Sequence, residues 1–120
     1  MNNNIVEQES LDFSIRILKL YQFLTETKKE YIMSKQILWC GTSVGANKRE
    51  AEHAESRKDF IHKLAIAQKE INETIYWLKL LYKTEYLSID QFENINLDAI
   101  EIIKLLTSII KSSKENSINN

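Results

Sequence analysis

The sequence has no proline and only two glycines, Gly41 and Gly45, so little interrupts helix between its ends. It has one cysteine, Cys40, which excludes an internal disulfide and a paired-cysteine zinc site and suits a reducing compartment. No apolar run reaches the ~20 residues that a bilayer span needs, and the amino terminus, Asn2 to Asn4 followed by Glu7 and Glu9, lacks the basic region and apolar core of a signal peptide. The expectation is a cytoplasmic protein with no membrane partner. There is no excess of one charge either: the net charge is -1, which gives no overall pull toward phosphate backbones. A Gly-rich phosphate loop and a serine or cysteine set in a triad are also missing, so catalysis has no visible seat and no cofactor is implied.

What is present is period. Met33, Ile37, Cys40, Val44, Asn47, Ala51 and Ala54 step by four and three, and Phe60, Leu64, Ala67, Ile71, Thr74, Leu78 and Leu81 do the same beyond a polar turn. This is the seam of an antiparallel helical hairpin. Phe13, Ile17, Leu20, Tyr21 and Leu24 predict a helix over 11–25. Phe92, Ile95, Ala99, Ile102, Leu106 and Ile109 predict a last helix opened by Ser88. Three pairs have the spacing of a helix cap, Thr27 with Glu30, Ser56 with Asp59, and Ser88 with Gln91. They place the second helix from Thr27 to Ala54, the third to about Lys83, and a bend or close helix approach near Gly41. Short connections make neighbours antiparallel. The fold class is therefore all-α, an antiparallel up-down-up-down four-helix bundle, in a single domain over 1–120 with frayed tails at 1–9 and 112–120.

Four sets of residues are candidates for function. Trp39, Tyr76, Trp77 and Leu80 add more apolar and aromatic surface than one buried stripe needs; they fit either a wide core or an exposed patch that contacts another copy. Asn47, Glu73 and Thr74 are structural polar residues, with Asn47 expected to bond helix 3 between Ala67 and Glu70. Lys48, Arg49, Arg57, Lys58, Lys63 and Lys69 form a candidate nucleic-acid contact, although Glu50, Glu52, Glu55, Asp59 and Glu70 are interleaved with them. Glu50 with His53, and Asp59 with His62, have the carboxylate-x-x-His spacing of a metal site on a helix. No matching carboxylates come from the last helix at that level, so a solvated charged surface outranks a metal-dependent enzyme.

The stretch from Ser34 to Leu38, then Gly41 to Asn47, Glu50-Ala51, and across the turn Lys58 to Leu64, Glu70, Glu73-Thr74 and Tyr76 to Leu78, resembles the four-helix-bundle proteins encoded by intervening sequences of 23S ribosomal RNA genes. The resemblance implies a bacterial cytoplasmic protein forming a ring-like homopentamer, with no enzymatic activity established. A related branch, the accessory variability determinant proteins of diversity-generating retroelements, implies an alternative partner: RNA or DNA and a reverse transcriptase. The motif positions carried by the resemblance are Gln36, Ser43, Asn47, Glu50, Glu73, Tyr76 and Trp77. Trp39 stands where relatives often have arginine, and Lys48 where they usually have an apolar residue. The leading expectation is a non-enzymatic, self-associating scaffold or adaptor.

Overall fold

The computed structural model describes residues 2–119, and these form four helices: α1 (Asn2–Glu26), α2 (Met33–Ala51), α3 (Arg57–Lys83) and α4 (Ile89–Asn119). Among the described residues there is no strand. The connections at 27–32, 52–56 and 84–88 are five or six residues long. At about 3.5 Å per residue they reach no more than ~20 Å, too short to return along a 27-residue helix, so consecutive helices run antiparallel. Contacts join α1 to α2, α2 to α3, α3 to α4 and α4 back to α1, the square of a four-helix bundle 52 Å long and about 20 Å across.

The core is the set of stripes that the apolar period predicts. Leu64, Ala67, Ile71, Thr74, Leu78 and Leu81 of α3 and Ile95, Ala99, Ile102, Leu106 and Ile109 of α4 are buried, facing Phe13, Ile17 and Leu24 of α1. Helix α1 is longer than the sequence predicts, because Val6 sits one heptad before Phe13 and is itself fully buried. The segments 2–9 and 112–119, expected as tails, are helical; Met1 and Asn120 lie outside the described residues.

The stripe on α2 is rotated from its expected position. Ser34, Ile37, Gly41, Val44, Lys48 and Ala51 are buried, together with Cys40, while Asn47 is only half-buried. The rotation follows from α1. A Cβ on Gly41 would lie 2.7 Å from Ile17 Cγ1, so only a glycine lets the two helices approach this closely. Gly45 faces Ser10 and Ser14 in the same way, with more room. Close approach near Gly41 was expected; its effect on which residues are inside was not.

Helix ends follow local chemistry. Ser56 Oγ accepts from the Asp59 amide at 3.0 Å. Ser88 and Gln91 form a reciprocal capping box, with bonds of 2.9 and 3.1 Å. The pair Thr27 and Glu30 behaves differently. Thr27 closes α1 by donating its amide to the Phe23 carbonyl, and Glu30 alone opens α2. Its carboxylate accepts from the amides of Ile32, Met33 and Ser34 at 2.9, 2.8 and 2.7 Å, so α2 starts at Met33 rather than Thr27. Burial pushes the Glu30 carboxyl up, but these backbone donors outweigh burial and hold it below its ordinary value of 4.5.

Candidate functional site

The candidate aromatics meet water on the outer surface of the packed α2 and α3 pair. Cys40 and Thr74 sit side by side beneath it: Thr74 Oγ1 donates to the Glu70 carbonyl at 2.8 Å and lies 3.2 Å from Cys40 Sγ. Burial pushes the Cys40 thiol up to about 11, against the opposing Thr74 hydrogen bond, so it stays protonated and unreactive as a nucleophile. Above this dry layer Trp39 is 69% exposed and Tyr76 58%. Trp77 and Leu80 are half-buried, and Trp77 packs against the core. The rings of Tyr76 and Trp77 meet edge to face with centroids 5.1 Å apart. Trp77 Nε1 donates to Glu73 Oε2 at 3.2 Å. The aromatic set therefore divides: Trp77 is a bridge from core to surface, while Trp39 and Tyr76 project.

Among the structural polar residues, Thr74 is fully buried and satisfied within α3. Asn47 does not reach helix α3. Its Nδ2 donates to the Ser43 carbonyl on its own helix at 2.9 Å, because the rotation of α2 moves it to the rim of the seam. Glu73 is exposed and has no ion-pair partner among the described residues; the indole of Trp77 is its donor.

The basic set divides as well. Lys48 is buried, so it cannot contact a phosphate from this fold, and its Nζ lies 2.5 Å from Glu52 Oε1. Its stem fills the rotated stripe and its ammonium sits in the last turn of α2, where the helix dipole favours a cation. The Lys48 hydrogen bond holds the Glu52 carboxyl below its usual range despite partial burial. Arg49 faces Glu7 at 3.5 Å and Lys63 faces Glu50 at 3.9 Å. Arg57, Lys58 and Lys69 are exposed.

Of the two carboxylate-histidine pairs, Asp59 and His62 do lie three apart within α3, but Glu50 and His53 lose their geometric premise. Helix α2 ends at Ala51, so His53 is in the turn and does not share a helical face with Glu50. Asp59 Oδ2 is 3.4 Å from the Glu55 amide, and His62 is exposed. Among the described residues no group of three or more His, Cys, Asp or Glu is placed to hold a metal ion. None of them forms a helix long and apolar enough to cross a membrane.

One surface feature escaped the sequence reading. Leu11, Ile15 and Leu18 lie on the outside of α1, 57%, 46% and 47% exposed, opposite the core stripe of the same helix. Their four-then-three spacing was available as a signal; it was masked because the core residues of α1 carry the same spacing.

Together these features define a small all-α bundle with exposed aromatic side chains on α2 and α3. The chain belongs to the 23S rRNA-intervening sequence protein family, whose model matches residues 2–108. It is also similar to a crystal structure from Bacteroides thetaiotaomicron, a protein of unknown function from the S23 ribosomal protein family. The two share 60% identity, with 92% of this chain and 99% of that chain covered and a TM-score of 0.92. No curated protein matches the chain. The family and the structural relative indicate no enzyme class.

Proposed function

We propose that the protein is a non-enzymatic, self-associating four-helix bundle that works in the cytoplasm as a scaffold or adaptor, assembled as a ring-like homo-oligomer of five copies. The observation that carries this reading is the exposure of Trp39 on α2 and of Tyr76 on α3. Each large aromatic side chain offers about 150–250 Å², and removing apolar surface from water is worth about 25 cal/mol per Å². Aromatic residues fixed above a rigid hairpin lose little entropy on docking, which suits an interface. The ring-like homopentamer that the family resemblance implies supports the copy number. Light scattering on the purified chain tests it: the expected mass is about five times the subunit's 14.1 kDa, and a species at 14.1 kDa would reject self-association.

Nucleic acid as partner, as accessory to a reverse transcriptase, is the weaker reading. Lys48 is buried, and Arg49 and Lys63 already face carboxylates. Arg57, Lys58 and Lys69 remain to carry it. A salt-dependent gel shift with RNA, lost on charge reversal of Arg57 and Lys58, would raise it above the scaffold reading.

A further inference from the structure

We propose that the end of the bundle where the α1–α2 and α3–α4 turns lie binds a small amphipathic organic anion, its anionic head against Lys28 and Lys83 and its apolar body in the cleft between α1 and α4. Two clefts open side by side at this end. One, of about 690 Å³, is walled by Lys28, by Tyr82 and Lys83 at the end of α3, and by residues 85–89 and Gln91. The other, of about 480 Å³, runs between α1 and α4 over Leu20, Phe23, Leu87 and Ile95. Leu87 and Gln91 line both, so the two clefts are continuous. Each has the volume of a small-molecule pocket, about 300–1,000 Å³.

The two clefts differ in chemistry. The floor between α1 and α4 is apolar: Leu87 and Ile95 are buried, and Leu20 and Phe23 lie half-buried on the flank of the α1 core stripe, between Ile17 and Leu24. Arg16, at its far end, is already engaged by Asp98 and Asn94. Lys19, Lys28 and Lys83 have no ion-pair partner among the described residues, and they outnumber the two carboxylates that line the clefts, Glu85 and Asp90. In a chain of net charge -1 this is a local reversal of sign. Lys28 Nζ lies 5.8 Å from the centroid of the Phe23 ring, and Lys83 Nζ lies 5.6 Å from that of Tyr82. The ring faces hold both ammonium groups at the cleft walls without neutralising them, which leaves their charge for an incoming anion. Phe23 belongs to the apolar cleft and Lys28 to the basic one, so their contact sets a cation for the head beside a wall for the body.

The test is a titration of the full chain, methyl-labelled for NMR, with three probes: monomeric octyl phosphate, which has head and body, inorganic phosphate, which has only the head, and octanol, which has only the body. Octyl phosphate is expected to bind at least about tenfold more tightly than either of the others, shifting the methyl signals of Leu20, Leu87 and Ile95. The double variant Lys28→Glu with Lys83→Glu changes two exposed side chains, so circular dichroism should report wild-type helix content. It is expected to bind octyl phosphate at least about tenfold more weakly and octanol as the wild type does, while Lys69→Glu, outside both clefts, changes neither. The proposal is overturned if octyl phosphate binds no more tightly than inorganic phosphate, if the double variant binds it like the wild type, or if the shifted methyls lie away from the two clefts. Phosphatidylglycerol vesicles that shift these methyls where monomeric octyl phosphate does not would also overturn it, in favour of a membrane surface.

Discussion

Helix α1 holds its two neighbours by different physics. Against α2 the contact is mainly shape: Ile17 occupies the space where Gly41 has no side chain, Ser10 and Ser14 run along Gly45, and the turn is clamped by Glu30, with the exposed pair of Glu7 and Arg49 the one ion pair between the two helices among the described residues. Against α4 the outer contact is charge. Arg16 reaches Asp98 and donates to Asn94 Oδ1 at 2.5 Å, beside a group of carboxylates from Glu9, Asp12 and Glu101 and an open cleft lined by Leu20, Phe23 and Ile95. Dry packing is insensitive to salt and costly to disturb by one methyl group. Exposed ion pairs are worth little and are screened. The two sides of one helix should therefore answer to opposite perturbations.

The largest effect is expected at the clamp. Glu30→Ala removes a buried carboxylate bonded to three amides and should cost about 3 kcal/mol, from charge-assisted bonds of about 1.5–3 kcal/mol and a cap of about 0.5–2 kcal/mol. Thermal melts would read this as a clear fall in Tm. Because the folded carboxyl lies below its ordinary 4.5, its contribution is full above that value and is lost as pH falls through the depressed one. The gap in Tm between wild type and Glu30→Gln should thus be wide at pH 7 and shrink as pH falls below 4.5; a gap independent of pH would show that the carboxylate's charge does not hold the turn.

Next is the glycine pair, which sharpens the claim about shape. Gly41→Ala places a methyl 2.7 Å from Ile17 Cγ1 and 2.9 Å from Cγ2, an overpacking that costs about 1–3 kcal/mol. Gly45→Ala meets Ser14 Oγ at 3.3 Å and the Ser10 carbonyl at 3.4 Å. Its gain in helix propensity, about 0.5–1 kcal/mol, should offset that contact and leave stability unchanged or slightly raised. Equal losses at both positions in denaturant melts would show that α1 and α2 are not held by fit at Gly41.

On the α4 side, Arg16→Ala should cost less than about 1 kcal/mol at low salt and close to nothing at 1 M salt, where the Debye length is about 3 Å. Smaller still is Glu9→Gln. Partial burial, then the charges of Glu101, Asp98 and Asp12, raise the Glu9 carboxyl above 4.5, so its ionised form opposes folding. Removing that charge should raise Tm modestly at pH 7. The gain should vanish below pH 4.5, where the carboxyl is protonated in both states. A salt-independent loss for Arg16→Ala would place this side, too, under the rule of packing.

How much of this was legible before any coordinates depends on how local each signal is. The caps at Ser56 and Ser88 involve residues three apart and a carboxylate or amide within reach, so the sequence reading placed them correctly. The stripes of α3 and α4 were legible because each helix buries one unbroken four-three series. The start of α2 was half legible: Glu30 does open the helix, but as the cap itself and not as the partner of Thr27.

What sequence alone determined, then, was the four helices, their antiparallel order and most of the core, because period, caps and short turns act over a few residues. Tertiary structure decided which way each helix is turned. Asn47 and Lys48 are one residue, or 100°, apart on α2, and the seam drawn through α2 alone put the asparagine inside. The approach of α1 onto Gly41 and Gly45 pulled the buried side toward Lys48 instead. That rotation removed a lysine from the surface, sent Asn47 to bond its own helix, and left Trp39 in water. A residue's exposure is set by every helix beside it, and no single helix carries that information.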